Sequence, residues 1–95
     1  MMLEDVKLAL RVSNSAFDPE VQDLIDGARL DLIQSGVSPL IVNSSVDVDP
    51  LIKRAIVLYA KANYGLDGPN AERFGESYDL LKQHLSLAGD YRELV

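Results

Sequence analysis

Asp-Pro occurs twice, at Asp18-Pro19 and Asp49-Pro50, and each pair stands directly before a stretch whose apolar residues recur at helical spacing. An aspartate carboxylate can accept from the amides that the first helical turn leaves free, and proline at the first helical position gives up an amide hydrogen that has no partner there. After the first start, Val21, Leu24, Ile25, Ala28 and Leu32 form one stripe, and Gly36 offers the left-handed residue that commonly ends a helix, with Val37 available for the closing apolar contact. After the second, Leu51, Ile52, Ala55, Ile56, Leu58, Tyr59 and Ala62 cover most of the circumference up to a stop at Gly65, so this helix should be central.

Two further segments flank this pair. Leu3, Val6 and Leu10 line a short N-terminal helix with Glu4 and Asp5 in its opening turn, where the helix dipole favours anions. Ala71, Phe74, Tyr78, Leu81 and Leu85 recur at alternating spacings of three and four in a last amphipathic helix. Helices are therefore expected over about residues 3–12, 18–35, 50–64 and 70–86, with a tail over 87–95. The stretch from Val37 to Val48 lacks helical spacing and is expected to be a long ordered loop. The predicted fold is all-α: one domain over residues 1–95, a small bundle of three main helices plus a short N-terminal one.

Composition agrees with one small globular unit, since 47% of residues are hydrophobic and 25% charged. A chain of this size buries roughly 60–65% of its unfolded surface, enough to fold with little margin. There is no Cys, hence no disulfide framework, zinc-thiolate site or thiol nucleophile. The longest apolar run, Ala55 to Ala60, is far too short to span a membrane, and Glu4, Asp5 and Lys7 stand where a signal peptide needs apolar residues. A soluble, non-secreted protein is expected.

No catalytic or metal-binding constellation stands out. His84 is the only imidazole, and the positions one turn before it, 80 and 81, are both Leu, so the Glu-x-x-His pair of carboxylate-bridged metal bundles is absent. The serines read as caps and turns without a Gly-x-Ser-x-Gly elbow, and Gly65, Gly68 and Pro69 lack the Lys-Ser/Thr ending of a phosphate loop. Neither an enzyme nor a bound cofactor is expected.

Charge is more informative. The formal charge of −6 disfavours tight binding to nucleic acid or to anionic membrane. Yet from Leu51 to Leu66 there is no acid, while Lys53, Arg54 and Lys61 are basic, with Arg54 and Lys61 seven residues apart on one helical face. The preceding helix carries Asp18, Glu20, Asp23, Asp26 and Asp31 against the single Arg29. Such opposed surfaces suit either pairing between neighbouring helices of one subunit or a head-to-tail contact between copies through Asp23, Asp26, Lys53, Arg54 and Lys61.

With these segments placed, the sequence resembles the small all-helical head-tail connector (adaptor or head-completion) proteins of long-tailed bacteriophages and prophages. The likeness is carried by MLEDVKLALRV at the start, FDPEVQDLIDGARLDLIQSGV from Phe17 to Val37, DPLIKRAIVLYAKANYG from Asp49 to Gly65 and NAERFGESYDLLKQHLSLAGDY from Asn70 to Tyr91. It implies a structural part of the virion at the head-tail junction, assembled in the bacterial host cytoplasm. Copies would form a homo-oligomeric ring under the portal protein after DNA packaging, extending the DNA channel and docking a stopper or tail-completion protein. Leu40, Ile41 and Val42 in the loop and Tyr91, Leu94 and Val95 in the tail are apolar without a periodic pattern to bury them, and are the expected anchors on the portal or a neighbouring subunit. The other reading has the loop cover the bundle's own core while the tail frays. A generic acidic helical interaction module or inhibitor is the alternative function, against which the basic third helix counts.

Overall fold

A computed structural model describes residues 2–46, 48–64 and 70–92. Its helices are α1 (Met2–Leu10), α2 (Asp18–Gln34), the single turn α3 (Pro39–Val42), α4 (Pro50–Asn63) and α5 (Ala71–Leu87), with a 3-10 turn over Ser15–Phe17 leading into α2. Among the described residues there is no strand, only an isolated antiparallel bridge between Val37 and Arg92. The protein is all-α, as its spacing predicts.

Helix α4 is the centre of the bundle: it packs against α5, α2 and α1. Asp49 caps it as expected, its Oδ1 accepting from the amides of Leu51 (2.8 Å) and Ile52 (3.3 Å). Its Ile52, Ala55, Ile56 and Ala60 are buried together with Val21, Ile25, Ala28 and Leu32 of α2, Val6 of α1 and Tyr78 and Leu85 of α5. Each such Val, Leu or Ile contributes about 1.5–3 kcal/mol through burial, opposed by the entropy of ordering the chain. Close approach of α2 to α4 depends on Gly27, since a Cβ there would sit 3.2 Å from Tyr59 Oη.

Helix ends show one agreement and two departures. At Gly36 (φ 105°) the amide reaches Ile33 O and that of Val37 reaches Leu32 O, while the Val37 side chain is buried, which is the expected left-handed stop. The same closure ends α1, with Arg11 N to Leu8 O and Val12 N to Lys7 O, but here the left-handed residue is Arg11 (φ 60°). Asp18 does not cap α2. It is the first residue of the helix, because the preceding 3-10 turn, itself capped by Asn14, runs on without a break. Its carboxylate instead meets Lys7 Nζ at 2.7 Å.

The segment expected to be a loop is more ordered than its sequence indicates. Pro39–Val42 forms one helical turn, and Val37 and Val42 enter the core. The chain after α5 turns back on it, the amide of Ser38 donating to Tyr91 O at 2.7 Å.

Candidate functional site

Three features of the surface are built well enough to carry function. One is a groove between α3 and the segment after α5, of about 700 Å³, lined by Pro39, Leu40, Ile41, Gly89, Asp90 and Arg92. Leu40 stands 86% exposed over it, and Ile41 is half-buried against the core. Val42 is 1% exposed and belongs to the core, so of the three apolar loop residues it is the one turned inward. Tyr91 is half-buried and its hydroxyl donates to the Asp49 carboxylate, with oxygens at 2.9 and 3.1 Å. Burial first, then the hydrogen bond to Asp49 and the charge of that carboxylate, push its phenol above the ordinary value. Asp49 thus caps α4 and anchors the returning chain at once. Leu94 and Val95 lie outside the described residues.

The second feature is a polar cluster joining α2 to α5. Asp31 accepts from the Tyr78 hydroxyl and from Lys82 Nζ at 3.0 Å. Lys82 also lies over the Tyr78 ring, 5.3 Å from its centroid, and Tyr59 of α4 meets that ring edge-on, with centroids 5.3 Å apart. Burial alone would raise the Asp31 pKa, but the two donated hydrogen bonds and the Lys82 charge outweigh it and hold the carboxyl below its usual range. Burial of Tyr78, reinforced by Asp31, raises its phenol strongly. The pairing is invisible in the sequence because its members are far apart in the chain, Asp31 and Lys82 looking like ordinary polar-face residues and Tyr78 like one more residue of the apolar seam. The buried Lys7 is a similar case. Its hydrogen bond to Asp18 raises its pKa despite burial, and only its place on the apolar side of α1 hints that it needs a partner.

The third feature is charge. Asp23 is exposed; Asp26, also exposed, accepts from Gln22 at 3.0 Å and lies 4.0 Å from Arg29. Lys53 reaches Asp5 of α1 at 3.4 Å rather than an acid of α2. Arg54 is exposed, and Lys61 Nζ lies over the Phe74 ring, 5.2 Å from its centroid. Among the described residues no ion pair joins α2 to α4. Pairing within the subunit runs instead to other neighbouring helices, from Lys53 of α4 to Asp5 of α1 and from Asp18 and Asp31 of α2 to Lys7 of α1 and Lys82 of α5. Among the described residues it leaves Asp23, Arg54 and Lys61 outside any ion pair. Arg73, exposed on α5 next to Phe74 in the chain, makes no ion pair among the described residues and does not stand out in the sequence, where Glu72 and Glu76 flank it.

Among the described residues no group of three or more His, Cys, Asp or Glu side chains could hold a metal ion, and no helix is long and apolar enough to cross a membrane. Fold and surface together define a small all-α protein whose prominent features are contact surfaces. Residues 2–92 match the family described as phage connector protein. The chain belongs to that family and is a structural head-tail connector protein of a bacteriophage. No curated protein and no solved structure matches it.

Proposed function

We propose that the chain acts as a ring-forming adaptor under the portal, extending the DNA channel and presenting a surface to the next head-completion or tail protein. The observation that carries this reading is the family match, which runs from the first to the last helix of the bundle. Two physical features support it. The net charge of −6 suits a lumen through which DNA must pass without being held. The exposed Leu40 over the groove beside Arg92 gives an apolar centre with a polar rim, the anatomy of a protein contact. The protein works by contact, without turnover or cofactor, as part of the virion at the head-tail junction after assembly in the host cytoplasm. Sedimentation of the purified chain with purified portal rings tests this. Co-migration with the portal at micromolar concentration is expected; a chain that stays wholly at the top of the gradient contradicts it.

A further inference from the structure

On α2 the buried residues Val21, Ile25, Ala28 and Leu32 lie on one side, and the exposed Glu20, Asp23, Asp26 and Leu30 occupy the opposite arc. On α4, Ile52, Ala55, Ile56 and Ala60 are buried, while Arg54 and Lys61 lie about half a turn away, with the half-buried Val57 and Leu58 between them. Lys61 Nζ lies over the ring of Phe74 on α5, whose sequence neighbour Arg73 is exposed. Among the described residues no carboxylate is within ion-pair distance of Arg54, Lys61 or Arg73, and no cation is within that distance of Glu20 or Asp23. Because α2 and α4 pack on each other and each buries one stripe, the acidic and the basic residues lie on the sides of these two helices turned away from those stripes.

We propose that copies of this chain join head to tail, the acidic α2 face of one (Glu20, Asp23, Asp26 around Leu30) seated on the basic strip of the next (Arg54, Lys61, Arg73 around Val57 and Leu58). This deepens the ring reading and rests on it. The occupant is a second copy because both faces belong to the same chain and complement each other in charge. A two-fold contact through either face would oppose like charges, whereas acid on base leaves any open assembly with one unused face of each sign, at its two ends, and repeats until the ring closes. Leu30, 57% exposed among carboxylates, supplies an apolar centre with a charged rim. Lys53 takes no part, being engaged by Asp5.

The test is assembly on portal rings of wild type, of Asp23→Lys with Asp26→Lys, of Arg54→Glu with Arg73→Glu, and of the chain carrying all four substitutions. Lys61 is left alone because it lies over Phe74. Each double variant should need about tenfold or more the wild-type concentration to assemble, and the fourfold variant should recover most of that loss. Wild-type assembly should also weaken as salt rises from about 0.05 to about 0.5 M. That measurement decides the matter if a variant loses its helical spectrum. Double variants that assemble like wild type, a fourfold variant that recovers nothing, or salt-insensitive assembly overturn the contact while leaving the ring reading standing. Failure of wild type to assemble on the portal overturns both. A tight duplex-DNA shift lost in Arg54→Glu with Arg73→Glu would assign the strip to phosphate and overturn the contact as well.

Discussion

Replacing Tyr78 by phenylalanine removes one oxygen and leaves the ring where it is, so its cost isolates the link between α2 and α5. The side chain is 4% exposed and retains its contacts with Tyr59 and Lys82; only donation to Asp31 is lost. A hydrogen bond to a charged acceptor contributes about 1.5–3 kcal/mol, and Asp31, which keeps Lys82 and meets solvent, should recover part of it, for a loss of about 1–2 kcal/mol at pH 7. Tyr78→Ala removes the ring as well and should cost about 3–5 kcal/mol. The pH dependence has a fixed sign. Because the folded phenol pKa is raised, the contribution is whole below about pH 10, where the unfolded phenol is still protonated, and falls by about 1.4 kcal/mol per pH unit above it. Wild type should therefore lose its lead over Tyr78→Phe by about pH 11. Since the Asp31 pKa is lowered, the lead should also shrink as pH falls below about 4. Urea unfolding followed by circular dichroism at several pH values measures all of this. A difference under about 0.5 kcal/mol at pH 7, or one that persists unchanged through pH 11, refutes the reasoning.

Arg11 closes α1 in a left-handed conformation that costs a side-chain-bearing residue about 1 kcal/mol, so Arg11→Gly should raise stability by about 0.5–1 kcal/mol in the same assay, and a loss would show that the arginine side chain matters more than its backbone. Phe74→Ala should cost about 1–2 kcal/mol, less than Tyr78→Ala, because Phe74 is only half-buried; a cost of 3 kcal/mol or more would put it in the core. Deleting Tyr91–Val95 should leave the helical spectrum intact but lower the melting temperature, since it removes the Tyr91 bonds to Asp49 and Ser38, and should impair assembly on the portal. An unchanged melting temperature would mean the returning chain adds nothing to the fold. Gel shift with duplex DNA at physiological salt should show no tight complex, and salt-sensitive retention would reverse the passive-channel reading.

The helices were legible in the sequence because their signals are local: Asp49 caps α4, Gly36 ends α2, and apolar residues three and four apart bury one face. What was not legible depends on contacts between distant residues or on segments too short to show a period. Asp18 looks like a cap, but Lys7 claims its carboxylate once α1 and α2 meet. Four residues of α3 cannot display helical spacing, and the burial of Val37 and Val42 is decided by the bundle they cover. Tyr91 reads as part of a tail because its partner Asp49 lies forty-two residues away. For the candidate site, the sequence distinguished the acidic α2 from the basic α4. It could not show that Lys53 is spent on α1, nor that Lys61 lies over the Phe74 ring of α5.

Electron microscopy of portal rings incubated with the purified protein tests the connector reading most directly. Averaged side views should show one added layer coaxial with the portal, with an open central channel, and top views should show that layer as a closed ring of repeated subunits. Portal particles indistinguishable from those imaged alone, under conditions where the protein is folded and in excess, would contradict it.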